Sequence, residues 1–372
     1  MSLQALKVPK WGLSMEEGAV VEWHVAEGDE VSPGDELLEV ETSKIANAVE
    51  SPLAGRVVRI VAQPGETLAV GGLLAVIAEP GSSPDAAEID AFVADFQASF
   101  VPGGDADEGA SAGPRSIDVG GARISYLAAG SGEATPLVLV HGFGGDANNW
   151  LFNLTELAGT RPVYALDLPG HGASTKAVGE GTLASLAELL LGFLDALGIP
   201  RAHLAGHSMG GGVVLEATRR APERVASLAL LAPAGLGAGI NAGYLQGFIA
   251  GQSRRDMKPV LAQLFSDESL VSRDMINDIL KVKRLDGVTA ALETLMAGVF
   301  PDGRQAVSLR GVLDDPARPV LVIWGREDAI ADPADADGLP AHVRVERLAS
   351  VGHMPHMEAA GQVNRLLQAH LG

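Results

Sequence analysis

From about residue 116 to the C-terminus, short apolar runs alternate with segments of helical character, and this alternation limits the folds open to the chain. The apolar runs are PLVLVHG, PVYALDLPG, AHLAGHS, SLALLAP and RPVLVIWG. Strands that are apolar along their whole length are typical of a parallel sheet covered by helices on both faces. The sequence therefore predicts an α/β domain with a mostly parallel sheet over residues 116–372. Residues 236–313, after the SLALLAP run, show only helical patterns and predict a helical lid.

The sequence GHSMG at residues 206–210 lies where a predicted strand meets a predicted helix. A serine at such a sharp turn has a strained backbone, and its neighbours must be glycine because side chains do not fit there. The GxSxG pattern alone is a weak signal in a chain with 46 glycines, but the flanking strand and helix strengthen it. We predict that Ser208 is a nucleophile.

A serine nucleophile needs a base and an acid that orients the base, and in this architecture both follow it in the chain. Asp328 follows the VLVIW strand, at the end of the sheet where such folds collect their site residues. Glu327 and Asp332 are the alternative acids. The sequence predicts Asp328 as the orienting acid.

Two histidines near the C-terminus are candidates for the base. His353 follows a glycine in a loop after the strand-like VRVERLA, and His356 comes three residues later. We predict His353 as the base, and His356 as a structural or lining residue.

Acyl transfer also needs backbone N–H groups that stabilise an oxyanion. The HGFGG loop at residues 141–145 follows the PLVLV strand. The amides of Phe143 and Met209 are therefore the expected pair of donors. His141 is expected to brace this loop, and His171, in the loop after the next strand, is expected to be structural.

Residues 1–79 predict an all-β domain, because short Val- and Leu-rich runs are separated by Gly, Pro and Asp. The two halves of this region form a weak repeat with an offset of 37 residues. The repeated pairs include Val20 with Val57, Gly28 with Gly65, Gly34 with Gly71 and Leu37 with Leu74. Two halves too small to bury their own apolar faces would close on one another as a flattened barrel. Chance similarity in a Val- and Gly-rich stretch is the alternative.

Lys44 lies between the two halves, in the sequence ETSKIANAVE. Strand-like runs at residues 36–42 and 46–50 flank it, so Lys44 is predicted at a hairpin tip. A lysine in that position is displayed away from the core.

Residues 80–115 predict a flexible linker that contains one short amphipathic helix. The apolar residues at helical spacing are Ile89, Phe92, Val93, Phe96 and Phe100. We expect the helix to pack on one of the domains, and a partner-binding helix is the alternative. If all 36 residues were coil, their r.m.s. span would be roughly 35 Å.

Composition excludes several classes of function. A net charge of −20 argues against nucleic acid and against an anionic membrane surface. The absence of cysteine excludes disulfides, thiolate metal sites and a cysteine nucleophile, so any redox sulfur must arrive on a cofactor. No metal site is expected.

The N-terminus lacks a signal-peptide core, and no run approaches the roughly 20 apolar residues of a spanning helix, so we expect a cytoplasmic protein.

The motifs of the two predicted domains resemble those of two known protein families. HGFGG, DLPGHGAS, GHSMG, GREDAI and GHMPH occur in this order, and residues 116–372 closely resemble the α/β-hydrolase superfamily. The ETSKI turn resembles the lipoyl-attachment turn of 2-oxo-acid dehydrogenase acyltransferases, over residues 3–79. Lys44 is flanked by Ser43 and Ile45, where lipoyl domains usually carry Asp and Ala and a biotin carrier would carry Met on both sides.

The combination of the two domains resembles the dihydrolipoyllysine-residue acetyltransferase components of acetoin dehydrogenase complexes. Ordinary acyltransferase components have a catalytic domain of another fold with an HxxxDG motif, which this sequence lacks. The usual small peripheral-subunit-binding domain is also not recognisable in residues 80–115.

This resemblance implies a cofactor, a co-substrate and partners. It implies lipoate covalently attached to Lys44, coenzyme A as co-substrate, and Ser208 as the residue that carries the acetyl group between them. It also implies a thiamine-diphosphate-dependent acetoin-cleaving component and a dihydrolipoamide dehydrogenase as partners, with this chain as a homo-oligomer in the complex.

Two alternative functions remain open on the sequence. One is a tethered esterase or thioesterase that uses water as acceptor, because both reactions share an acyl-serine. The other is a carrier and scaffold whose hydrolase domain is structural.

Two basic clusters in the predicted lid could meet the phosphates of coenzyme A, or could simply be solvated helix faces. The clusters are Arg254, Arg255 and Lys258, and Lys281, Lys283 and Arg284.

Overall fold

The structure, a computed structural model, divides into two compact units, Met1–Ser111 and Ala112–Gly372. It describes residues 3–9, 17–41, 46–51, 53–82, 84–100 and 114–372. The division falls inside the segment predicted as a linker, whose bounds of 80 and 115 stay a prediction.

The described part of the first unit contains two four-stranded antiparallel sheets. The strands are β1 (Leu3–Lys7), β2 (Glu17–Trp23), β3 (Glu30–Val31), β4 (Glu36–Glu41), β5 (Ala46–Glu50), β6 (Gly55–Ile60), β7 (Thr67–Ala69) and β8 (Leu73–Ala78). One sheet has the order β1-β8-β6-β3 and the other β5-β4-β2-β7. Buried Val, Leu and Ile side chains from both sheets form one core cluster. The prediction of an all-β domain is confirmed.

The internal repeat is a real structural symmetry, because the two halves exchange equivalent hydrogen bonds. The Gly28 amide donates to the Val57 carbonyl at 2.7 Å, and the Gly65 amide donates to the Val20 carbonyl at the same distance. Gly28 and Gly65 both have a positive φ, of 102° and 88°. Residues other than glycine rarely adopt such backbone angles. These equivalent contacts favour a true repeat over chance similarity.

Helix α1 (Ala86–Ser99) belongs to the first unit and packs against β8. Its N-terminus is closed by a capping box between Asp85 and Glu88. Arg59 forms an ion pair with Asp90 at 2.9 Å, and the ammonium group of Lys7 lies 5.4 Å from the centre of the Phe96 ring. These contacts agree with the expectation of a helix packed on a domain.

The second unit contains one eight-stranded sheet. Its strands are β9 (Arg115–Val119), β10 (Ala122–Ala129), β11 (Leu137–Val140), β12 (Val163–Leu166), β13 (Ala202–His207), β14 (Val225–Leu231), β15 (Val320–Gly325) and β16 (Arg344–Leu348). The order is β16-β15-β14-β13-β11-β12-β10-β9. Neighbouring strands are parallel from β12 to β16, whereas β10 runs antiparallel to both β9 and β12. The predicted mostly parallel sheet is confirmed.

Nine α-helices are found in the second unit, over its described residues 114–372. They are α2 (Leu151–Leu157), α3 (Leu183–Ala196), α4 (Met209–Arg220), α5 (Ala242–Ala250), α6 (Arg254–Leu261), α7 (Arg273–Lys283), α8 (Val288–Val299), α9 (Pro355–Glu358) and α10 (Ala360–Leu371). Helices α5–α8 lie in the insertion between β14 and β15, where the sequence predicted a lid. No described helix combines the length and apolar character needed to cross a membrane.

Candidate active site

Ser208 occupies the turn between β13 and α4. Its φ of 51° and ψ of −119° are unusual for a residue other than glycine, and its side chain is 6% exposed. The amide of Ser208 donates to the Leu231 carbonyl of β14 at 3.0 Å, which ties the turn to the sheet. A strained backbone of this kind costs about 1–3 kcal/mol and persists only where the surroundings impose it.

The glycines around Ser208 are required by close backbone contacts. A Cβ atom on Gly206 would lie 2.4 Å from the Gly210 carbonyl oxygen, and one on Gly210 would lie 2.3 Å from the Val140 carbonyl oxygen. Real Cβ atoms do not approach backbone this closely. The GxSxG pattern therefore follows from the sharp turn between strand and helix.

Asp328 and His353 form a buried pair. Asp328 Oδ2 lies 2.7 Å from His353 Nδ1, and the side chains of the two residues are 0% and 2% exposed. Asp328 also accepts hydrogen bonds from Trp324 Nε1 at 2.9 Å and from the Ile330 amide at 2.7 Å. Burial alone raises the pKa of Asp328, but His353 and the hydrogen bonds outweigh it, so the pKa is lower than usual. Asp328 is thus held as an anion against His353.

The alternative acids have other partners. The carboxylate of Glu327 accepts a hydrogen bond from the Val351 amide at 3.1 Å. Asp332 caps a short 3₁₀ turn by accepting from the Ala334 amide at 2.9 Å. The geometry therefore favours Asp328, although the catalytic assignment stays a prediction.

His207, which the sequence analysis did not single out, connects Ser208 to His353. Its Nε2 lies 2.8 Å from the carbonyl oxygen of His353, and the two rings are 4.8 Å apart between centroids. Because a carbonyl only accepts, His207 carries its proton on Nε2. Burial and the neighbouring histidines lower the pKa of His207 well below its usual range, so the ring is neutral. Among the described residues, Ser208 has no hydrogen bond to His353, a contact that often forms fully only with substrate.

His356 lies in α9 and is completely buried, 0% exposed. Its ring contacts those of Trp150 and His207 at tilted angles, with centroid separations of 4.4 and 4.6 Å. Neither of its ring nitrogens has a hydrogen-bond partner in the described part of the chain. Burial lowers the pKa of His356 to about 3, so this ring is neutral. These contacts suit the predicted structural or lining role.

Glu358 supports the loop that carries His353, and the sequence analysis missed this residue too. Its Oε1 accepts from the amides of Gly352 at 2.9 Å and Met354 at 3.3 Å, on either side of His353. Its Oε2 accepts from the Ser266 amide in the insertion at 2.8 Å. The sequence signal that could have identified Glu358 is a carboxylate five residues after the candidate catalytic histidine.

The two candidate oxyanion donors lie on elements that meet at Ser208. Met209 begins α4, and a Cβ atom on Gly142 would lie 3.0 Å from Ser208 Cβ, so the loop that contains Phe143 runs beside the serine. Within the described residues, the amides of Phe143 and Met209 have no hydrogen-bond partner. Both are therefore free to donate to an oxyanion, and their role stays a prediction.

His141 and His171 brace the loop at residues 141–145. We call it the oxyanion loop because it contains the candidate oxyanion donor Phe143. His141 Nε2 accepts from the Leu168 amide, and His171 Nε2 accepts from the Gly144 amide, both at 3.0 Å. The ring centroids of the two histidines are 4.9 Å apart. Burial lowers the pKa of both side chains. This arrangement agrees with the bracing and structural roles expected from the sequence.

The second basic cluster of the lid, Lys281, Lys283 and Arg284, does not present all three of its charges to solvent. Lys283 is only 5% exposed, because its Nζ points inward and donates to the carbonyls of Phe248, Ile249 and Gly251 at the end of α5. Lys281 and Arg284 are exposed. The inclusion of Lys283 among the phosphate-binding candidates was therefore wrong.

The described residues define a domain with the α/β-hydrolase fold preceded by a lipoyl-type domain. Residues 135–360 match the family model described as alpha/beta hydrolase fold, and residues 4–77 match the biotin/lipoyl model described as biotin-requiring enzyme. A meta-cleavage product hydrolase from Pseudomonas fluorescens IP01 superimposes with a TM-score of 0.63 at 25% identity, over 69% of this chain and 96% of that one.

Two relatives match nearly the whole chain. The dihydrolipoyllysine-residue acetyltransferase component of the acetoin cleaving system of Pseudomonas putida is 51% identical, over 99% of this chain and 98% of its own length. The protein of the same description from Cupriavidus necator is 48% identical, over 98% and 96%. The chain therefore belongs to the family of dihydrolipoyllysine-residue acetyltransferase components of acetoin cleaving systems.

Proposed function

We propose that this chain transfers an acetyl group from a thioester on Lys44-bound lipoate to coenzyme A, through an acetyl ester of Ser208. The observation that carries the proposal is the buried Asp328–His353 pair, with 2.7 Å between Oδ2 and Nδ1, on a loop that His207 ties to the serine turn. The names of the two full-length relatives support an acetyl transfer with a lipoyl-lysine donor.

Lys44 lies outside the described residues, but the pairing of the strands on either side of it suits a lipoyl attachment site. Glu41 and Ala46 pair across β4 and β5, so Lys44 belongs to a four-residue connection between two antiparallel strands. Bound lipoate would supply a thiol on a long arm, which can carry an acyl group as a thioester. The domain matched by the biotin/lipoyl model agrees with this chemistry.

The residues of the second unit would carry the transfer in two halves. His353 takes the hydroxyl proton as Ser208 Oγ attacks the thioester carbonyl, and Asp328 holds the imidazolium that forms. The amides of Phe143 and Met209 donate to the oxyanion. His353 then gives its proton to the departing thiol, and the same groups act again when the thiol of coenzyme A attacks the acetyl-serine.

The setting of this reaction is also part of the proposal. We place the chain in the cytoplasm, as a homo-oligomer in a complex with a thiamine-diphosphate-dependent acetoin-cleaving component and a dihydrolipoamide dehydrogenase. Nucleic acid and membranes have no part in it. Of the segment predicted as a linker, residues 80–115, α1 packs on the first unit, so the part after α1 would let the predicted domain 1–79 deliver the acetyl group to the predicted catalytic domain 116–372.

The test supplies acetyl-dihydrolipoamide to the purified protein with and without coenzyme A. We expect acetyl-coenzyme A to form in stoichiometric yield when coenzyme A is present, with little acetate. Acetate formed at the same rate in both conditions would contradict the proposal.

Hydrolysis is the second candidate function, because the matched solved structure is that of a hydrolase. The triad serves both reactions, since an acyl-serine can be resolved by water or by a thiol. The same experiment separates them through the identity of the product.

A further inference from the structure

Three phenylalanine rings meet above the loop that carries the candidate oxyanion donor. The ring of Phe143 makes edge-to-face contacts with Phe248 of α5 and with Phe300 after α8, at centroid distances of 6.1 and 6.4 Å. The three side chains are 6%, 2% and 2% exposed. Edge-to-face contacts between buried rings are favourable beyond the burial of their surface, so the three rings form a stable aromatic cover, which we call the roof.

Phe248 is fixed tightly against the oxyanion loop. A Cβ atom on Gly144 would lie 2.5 Å from the Phe248 ring, so a larger residue in the loop would displace the ring. The ammonium group of Lys283 lies 5.1 Å from the centroid of the Phe248 ring and donates to the Gly251 carbonyl at 2.6 Å. The buried lysine therefore holds the end of α5 in place.

The same insertion also covers the other side of the site. The His353 amide donates to the Leu264 carbonyl at 2.8 Å, and the Ser266 hydroxyl donates to the Ser350 carbonyl at 2.7 Å. Ser208 and His353 are accordingly only 6% and 2% exposed. Closing a site in this way removes bulk water from a reactive intermediate.

Phe300 belongs both to the roof and to the wall of a groove on the lid. The groove has a volume of about 380 Å³ and lies between α5 and α8, with Leu245, Met296 and Phe300 in its wall. Because Phe300 also contacts Phe143, shortening its side chain would open the space between the groove and the oxyanion loop.

We propose that the roof of Phe143, Phe248 and Phe300 determines the acyl acceptor, because it keeps water from the acetyl ester of Ser208 until a thiol arrives. This inference rests on the proposed function. In the productive step the thiol sulfur bonds to the acetyl carbon, His353 takes the thiol proton, and that proton passes to Ser208 Oγ as the ester bond breaks. With water as acceptor, the same proton path yields acetate and free serine.

The test is the ratio of acetate to acetyl-coenzyme A formed from acetyl-dihydrolipoamide at saturating coenzyme A. We expect Phe248→Ala and Phe300→Ala to raise the acetate fraction about tenfold, and the corresponding Leu variants to raise it less. Phe193→Leu is the matched control, because Phe193 lies in α3 and packs on Tyr126 in another part of the sheet, with 5.3 Å between ring centroids. The control should keep the wild-type ratio.

Once the uncatalysed hydrolysis and thioester exchange measured without protein are subtracted, the product ratio does not depend on how much of a variant is folded, so reduced yield of a variant does not obscure the result. An unchanged ratio in both Ala variants, even with lower rates, would overturn the role of the roof. Acetate as the main product of the wild-type protein would instead overturn the proposed function, so the two failures are distinct.

Discussion

The two candidate reactive side chains, Lys44 and Ser208, differ in how much of the chain is needed to place them. Lys44 lies in a four-residue connection between β4 and β5, whose pairing ends at Glu41 and Ala46. Ser208 depends on a strained turn, on backbone contacts as close as the one between Gly210 and Val140, and on neighbours from distant segments. The candidate attachment lysine is thus flanked by one local strand pair, whereas the candidate nucleophile depends on contacts from distant parts of the second unit.

The largest expected effect is the complete loss of lipoylation when Lys44 is replaced. Lys44→Arg keeps the positive charge but removes the primary amine, so no amide to lipoate can form. Intact-protein mass spectrometry should show a lipoyl-sized adduct on the wild-type protein and none on the variant. An adduct that persists in Lys44→Arg would place the attachment elsewhere and break the comparison.

The next effect tests the buried pair in the second unit. Asp328→Asn should lower kcat about 10⁴-fold, because an amide cannot hold His353 in the tautomer that accepts the serine proton. Asp332→Asn is the control, since that carboxylate only caps a 3₁₀ turn. Steady-state kinetics with acetyl-dihydrolipoamide and coenzyme A measure both, and similar losses in the two variants would contradict the assignment.

His207 should act by positioning His353 through its backbone carbonyl. His207→Leu removes the Nε2 donor and should lower kcat roughly 10- to 100-fold with little change in KM, because the misplaced base affects the chemical step. His207→Gln can present an amide N–H near the same point and should recover most of the loss. If Gln and Leu behave alike in kinetics, the 2.8 Å contact does not position the base.

The smallest expected effect is the contribution of His356 to the pH dependence of the free energy of unfolding. The pKa of His356 is about 3 in the folded protein and near 6.5 when unfolded, so the unfolded chain binds more protons between these values. The free energy of unfolding therefore falls as pH drops through this window, by about 2 kcal/mol for this group between pH 7 and 5. His356→Phe should reduce the acid-induced loss by that amount in denaturant titrations. An equal loss in both proteins would show that His356 does not titrate this way.

Sequence reasoning worked where one segment contained all of the necessary information. The parallel strands β11, β12, β14 and β15 are nearly continuous apolar runs, and the repeat of the first unit is visible as matched residues. β9 was not predicted as a strand, because its side chains are exposed or half-buried and give no apolar run. Edge strands of this kind are defined by their neighbours, here by pairing with β10.

The motifs of the candidate active site could be recognised in the sequence, but the contacts that support its residues could not. Ser208, Asp328 and His353 each follow a strand and a recognisable loop sequence. The contact of His207 with His353 joins residues 146 positions apart, so only the folded chain reveals it. The inward turn of Lys283 was hidden for the same reason, because a helical pattern shows charge and spacing but not which carbonyls lie within reach.

The most direct test of the account is to trap the acetyl group on the enzyme. Wild-type protein is mixed with acetyl-dihydrolipoamide without coenzyme A, quenched in acid and digested, and the peptide that contains Ser208 is examined by mass spectrometry, with Ser208→Ala as control. We predict acetylation of Ser208 in the wild type only, and its rapid loss on addition of coenzyme A with formation of an equal amount of acetyl-coenzyme A. Acetyl transfer at the wild-type rate by Ser208→Ala, or an acetyl-serine that decays equally fast without coenzyme A, would contradict the account.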